Sequence, residues 1–148
     1  MTPTFVAIST LHSGISDLAV SAESEGFGMV RRLVDDYIAD VNRFSKRGEC
    51  LCIALHGDHV IAIGGINVDP YHDSSSLGRI RHLYVSPDFR RDGVGRRLME
   101  LIEGHGRKRF ETFQLFTESL AASRFYEALS YVPVHDRWKV SHTKRVGA

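Results

Sequence analysis

Between residues 27 and 44 the apolar positions Met29, Val30, Leu33, Tyr37, Ile38, Val41 and Phe44 recur at steps of mostly three and four. That is a helical period, and Arg31, Asp35, Asp36 and Asp40 between them give an amphipathic helix with a solvated face. The stretches that directly follow it lack this period. Leu51 to Leu55 and His59 to Ile66 are apolar runs rich in β-branched residues, separated by His56-Gly57-Asp58, and read as a β-hairpin. Phe5 to Ile8 reads as a first strand, with a short helix after Ser13, and Ile80 to Val85 as a strand stopped by Ser86-Pro87-Asp88. Val94, Leu98, Leu101, Ile102 and His105 share one helical face. Phe113 to Thr117 is then expected as a strand and Leu120 to Leu129 as a helix. Val132 to Val134 and Trp138 to Val140 are expected as a final pair of strands, with a frayed, solvated tail from Thr143.

Strand, helix, helix, three strands, helix, strand, helix and strands describe a mixed α/β structure, a sheet with helices packed on it. The 148 residues suit one domain, 1–148, and neither repeat nor linker divides them. With 43% hydrophobic and 25% charged residues and a net charge of +1, the chain reads as globular, and a bulk attraction to nucleic acid is not expected. No apolar stretch approaches the roughly 20 residues that span a bilayer, and no leader pattern opens the chain, so no membrane association and a cytoplasmic location are expected. Cys50 and Cys52 fall in an apolar run and read as buried thiols; His56, His59 and His72 match no zinc spacing, so no metal is expected.

The chemistry concentrates in Arg90-Arg91-Asp92-Gly93-Val94-Gly95-Arg96, where a loop enters a helix. A helix start exposes unpaired N–H groups and the positive end of the helix dipole, glycines let a ligand approach the backbone, and arginines reach phosphate oxygens. Alone, Gly-x-Gly also fits a glycine-assisted helix start with solvated arginines. It is not a Walker A loop, and Leu98 stands where a dinucleotide fingerprint needs its third glycine.

The longer stretch Leu83-Tyr84-Val85-Ser86-Pro87-Asp88-Phe89-Arg90-Arg91-Asp92-Gly93-Val94-Gly95-Arg96-Arg97-Leu98-Met99 resembles the acetyl-CoA motif of the GNAT superfamily of N-acetyltransferases. Downstream, Ala122-x-x-Phe125-Tyr126-Glu127-Ala128-Leu129-Ser130-Tyr131 resembles that family's second motif. The resemblance, which covers residues 79–131, implies the GNAT-like fold: a central, mostly antiparallel sheet with helices on both faces. It also implies transfer of an acetyl group from acetyl-CoA to an amine by direct attack. The pyrophosphate would rest on the amides of Arg91 to Arg96, with Arg90 beside them. The pantetheine arm would pair with the backbone of Leu83, Tyr84 and Val85, where a bulge splays the strand from its neighbour. An N–H of that segment would polarise the thioester carbonyl. Tyr126 would protonate the departing thiolate, and Ser119 would contact the arm where many relatives have asparagine. Phe125 reads as packing. The resemblance also admits a homodimer.

Many relatives place a glutamate base where this chain has Arg79, which cannot accept a proton. His82 is taken as the candidate base, slightly ahead of His72, Asp73 and Glu118, because imidazole titrates in the useful range. Asp35, Asp36 and Asp40 would attract a cationic amine, but read first as the solvated face of their helix. The absent glutamate keeps open a non-catalytic acyl-CoA-binding sensor, and the glycine turn alone would also suit a nucleotide-binding module.

Overall fold

The computed structural model describes residues 2–147. Seven strands form one sheet: β1 (Thr4–Ile8), β2 (Cys50–His56), β3 (His59–Val68), β4 (Leu77–Val85), β5 (Thr112–Leu115), β6 (Val132–Pro133) and β7 (His142–Arg145), in the order β1-β2-β3-β4-β5-β7-β6. Every pairing is antiparallel except that of β4 with β5. The helices are α1 (Ile15–Ser24), α2 (Met29–Ile38), α3 (Val94–Gly106) and α4 (Leu120–Ala128). This is the mixed α/β architecture expected from the order of elements.

Both faces of the sheet are covered, which is why β2 and β3 are apolar without alternation. Leu51, Ile53 and Ile63 pack with α1 and α2, while their neighbours Cys52, Ala54 and Ala62 pack with α3. Both cysteines are buried free thiols, their Sγ atoms 3.6 Å apart.

The sheet is irregular at one place. Ile63 pairs with Tyr84 and Gly65 with Arg81, so His82 and Leu83 stand together opposite Gly64. This bulge puts His82 in the left-handed region at φ 58°. On its other side β4 pairs with β5 only over Leu77–Thr112, Gly78–Phe113 and Arg79–Gln114. Beyond that rung the strands part, so the splay expected of the bulged strand is present. A buried polar cluster sits at the crotch. Asp69 Oδ2 accepts from Arg79 Nε at 3.1 Å and from Gln114 Nε2 at 2.9 Å, and Oδ1 accepts from the Tyr71 amide at 2.8 Å.

Three expectations are corrected. The helix over 27–44 stops at Ile38; Asp40 and Phe44 take left-handed φ, and Val41 is exposed although it keeps the helical period. Trp138 to Val140 is a turn, not a strand. The segment from Thr143 is not a frayed tail: His142–Arg145 pairs with β5 and β6 inside the sheet.

Removing the Asp69 carboxylate leaves Arg79 buried and unpaired. Asp69→Ala is expected to cost about 3–5 kcal/mol, read as a lower midpoint in urea unfolding. His82 supplies a pH signature. Burial first, then the nearby Arg81 and Arg32, push its pKa down to about 3, against about 6.5 in an unfolded chain. A depressed base binds more protons unfolded than folded, so its contribution is complete above pH 6.5 and is lost as pH falls toward 3. The wild type should lose stability relative to His82→Asn across that window, with a slope approaching about 1.4 kcal/mol per pH unit. Parallel stability curves for the two proteins would refute it.

Candidate active site

At the open end of the fork, β4 ends at Val85, a 3₁₀ turn spans Pro87–Phe89, and α3 begins at Val94. Arg91 and Gly93 both take left-handed φ, 69° and 79°, so the backbone curls before it enters the helix. The helix has no side-chain cap, and its first turn points unpaired N–H groups outward. Such a curl at a helix start is an anion cradle. The two glycines meet different needs. Gly93 has open space around it and is required for its φ, whereas a Cβ at Gly95 would lie 3.2 Å from the Phe125 ring.

The arginines of the turn divide. Arg91 and Arg96 are exposed and free to swing toward an anion at the cradle. Arg90 is exposed but engaged: its guanidinium binds both oxygens of Glu25 at 2.6 and 2.9 Å, and Nε donates to the Val85 carbonyl at 3.0 Å. Arg90, expected beside the phosphate, here clamps α1 to the end of β4. Tyr84 completes the clamp, donating to Glu25 at 2.5 Å and lying 3.1 Å from the Ser21 hydroxyl. The Arg90 and Tyr84 bonds hold the Glu25 carboxyl below its ordinary pKa.

Along the fork, Leu83 and Val85 lean into the core under α3, while the Tyr84 side chain turns to the α1 and α2 face. The β5-facing backbone edge of β4 has no strand partner beyond Arg79, so an extended ligand can add there as another strand would. Asp92 and the Val94 side chain line a separate small hollow with Phe5 and Arg97. On the opposite wall, Phe125 touches the corner made by Gly95, and its ring lies 5.1 Å from that of Tyr126. Tyr126 is buried, which raises its phenol pKa and keeps the proton on the oxygen at neutral pH. Ser119 caps α4, its oxygen accepting from the Ala122 amide at 3.2 Å, with the hydroxyl proton left to donate elsewhere.

Among the candidate bases, His82 sits within the bulge with its ring edge-on to Phe44 at 6.3 Å. A ring whose pKa is about 3 is a weak proton acceptor at neutral pH, which argues against the role expected for it. His72 donates from Nε2 to the Trp138 carbonyl at 2.9 Å, and Asp73 and Glu118 are exposed beside loops. Sequence reasoning missed the clamp from Glu25 and the polar cluster under Arg79. Glu25 lies beyond the apolar pattern of α1 and gave no signal. Arg79 and Arg81, flanking Ile80 in an apolar strand, did give one: alternating charge on a strand between buried neighbours.

The family model described as "Acetyltransferase (GNAT) domain" matches residues 46–133. No curated protein matches the chain significantly. A proposed acetyltransferase from Exiguobacterium sp. 255-15 is 28% identical with a TM-score of 0.87, covering 98% of this chain and 94% of its own. An acetyltransferase from Streptococcus agalactiae 2603 (15% identity, TM-score 0.73, 97% and 98% covered) shares the fold. So does a GNAT-family acetyltransferase from Staphylococcus aureus MU50 (11%, 0.71, 96% and 99%). The matched segment contains the bulged strand, the fork and the anion cradle together, and the chain belongs to the GNAT acetyltransferase family.

Proposed function

We propose that the chain transfers an acetyl group from acetyl-CoA to the nitrogen of an amine by direct attack, without a covalent enzyme intermediate. The observation that carries this reading is the junction of an uncapped helix start, curled through Arg91 and Gly93, with the unpaired edge of β4. One feature suits a pyrophosphate and the other an extended amide-bearing arm, and acetyl-CoA has both. When bound, it supplies an acyl carbon activated as a thioester.

The residues then divide the work. The amides from Arg91 to Arg96 hold the pyrophosphate, with Arg91 and Arg96 adding charge from solvent. The backbone of Leu83 to Val85 fixes the arm, and an N–H there donates to the thioester carbonyl, stabilising the oxyanion that attack creates. Tyr126 donates its proton to the sulfur as it leaves. Ser119 offers its hydroxyl proton to the arm. His82 shapes the bulge and takes no proton. The amine therefore arrives uncharged, or passes its proton to water.

A second reading, an acyl-CoA-binding sensor without turnover, draws on one observation: Arg79 fills a place where a proton acceptor would serve catalysis. Calorimetry with acetyl-CoA followed by thiol release against a panel of amines separates the two, since a sensor binds and releases no thiol.

Three outcomes are expected. Gly93→Val forces a branched side chain into a left-handed φ and should weaken acetyl-CoA binding by about tenfold or more, with the fold retained because nothing crowds that position. Tyr126→Phe should lower kcat by about a hundredfold and leave acetyl-CoA affinity unchanged; an unaltered kcat removes the acid role. The rate at low amine concentration should climb with pH toward the pKa of the acceptor's own ammonium, with no inflection near 6.5 and the same profile in His82→Asn. A profile that loses a limb in His82→Asn would restore His82 as the base.

A further inference from the structure

The α2-facing side of β4 carries more positive charge than the protein neutralises. Ile80 enters the core under α3, so Arg79 and Arg81 on either side of it point the other way, toward α2. Arg79 is buried and uses Nε on Asp69, with the Tyr71 ring 4.8 Å from its guanidinium carbon, but its Nη2 is buried with no partner. Across the last rung, Gln114 is fully buried, donates to Asp69, and leaves its Oε1 without a partner as well. Arg81 makes no ion pair among the described residues. Its hydrogen bond is a long one, 3.4 Å to Asn67 Oδ1, and burial, aided by Arg79, makes its charge harder to hold. Asp69 balances one of the two guanidiniums, and Asp36 of α2 attracts Arg81 without bonding to it. At the rim, Tyr71 and the exposed Trp138 meet edge to face at 5.6 Å, and the Lys139 amino group lies 4.4 Å from the Tyr71 centroid.

An unsatisfied donor on a buried guanidinium, as at Arg79, is costly, and arginine's planar fork matches a carboxylate. We propose that the amine acceptor carries a carboxylate, bound by Arg81 and Nη2 of Arg79 at the foot of the fork, while Gln114 Oε1 accepts a hydrogen bond from the acceptor. This rests on the acyl-transfer reading above and names its substrate class: amino-acid-like acceptors whose anionic end is read by β4, a few residues from the backbone assigned to the thioester. The Tyr71 and Trp138 rings cover the site and must shift for entry, which their position on two loops permits.

Two measurements test it. The first does not depend on turnover: the guanidinium Nε–H NMR signals of Arg79 and Arg81 are followed while acetate, inorganic phosphate or chloride is added. Acetate should give saturable shifts at Arg81 that weaken at least about tenfold in Arg79→Gln. No saturable shift, or a site that prefers phosphate, overturns the carboxylate. The second compares kcat/KM for an α-amino acid with that for its carboxamide. The acid should lead by about tenfold or more, and Arg81→Gln should collapse that gap while acetyl-CoA affinity stays as in the wild type. An equal or better carboxamide, or a gap that survives in Arg81→Gln, overturns the proposal. Should Arg81→Gln fail to fold, Arg81→Lys replaces it, with the gap reduced by loss of the forked donors. If acetyl-CoA does not bind or no amine is acetylated, the acyl-transfer reading fails, and the acetate titration still decides the anion site.

Discussion

Two neighbouring strands that begin to pair in parallel and then cannot continue are the constraint from which the rest of this molecule follows. Parallel strands need a crossover, here α3, and a crossover helix starts where its preceding strand ends. Because β4 and β5 separate after the Arg79–Gln114 rung, that helix start lies beside an open slot instead of a closed sheet. The glycine turn is thus delivered to the slot by topology. The bulge at His82 and Leu83 adds the local bend that keeps β4 from closing it.

An opening in the middle of a sheet exposes backbone that something must hold in shape. Two devices do so, at opposite ends. At the closed end, Asp69 ties β4 to β5 through Arg79 and Gln114; at the open end, Glu25 ties α1 to Tyr84 directly and to Val85 through Arg90. The first is buried, and a buried ion pair repays its desolvation poorly compared with apolar packing of the same volume. Its presence at the crotch, with two polar atoms left unsatisfied, marks a place where the sequence departs from the most stable solution. The second is largely exposed and contributes geometry more than stability.

Local pattern carried most of the architecture. The hairpin of β2 and β3, the strand before the turn and the helix after it were legible because apolar runs and helical spacing report burial directly. Failures occurred where non-local pairing decides. His142–Arg145 is polar and near the chain's end, so nothing in its own residues says strand; it is one because β5 and β6 hydrogen-bond to it. Trp138 to Val140 has the β-forming composition and yet turns. Val41 and Phe44 keep the spacing of α2, but the chain leaves the helix at Ala39, and Phe44 reaches the core through a left-handed turn. Near the candidate site, the glycine turn at the start of α3 was readable from residue type and order. The Glu25 clamp was not, since its partners are about sixty residues away in sequence.

The same charge distribution bears on the missing base. A proton-accepting side chain at position 79 would take a proton from an ammonium; an arginine there acts on the equilibrium instead. Positive charge on Arg79 and Arg81 disfavours a second cation nearby and lowers the pKa of an ammonium that binds beside them. In the proposed site a carboxylate on the acceptor would offset that repulsion for the molecule as a whole, while an amine held farther along β4 would still feel the arginines. Binding at the proposed site would then select the uncharged amine, the form with a free electron pair for the acyl carbon. In that proposed arrangement recognition and deprotonation would share one pair of residues, neither of which needs to accept a proton.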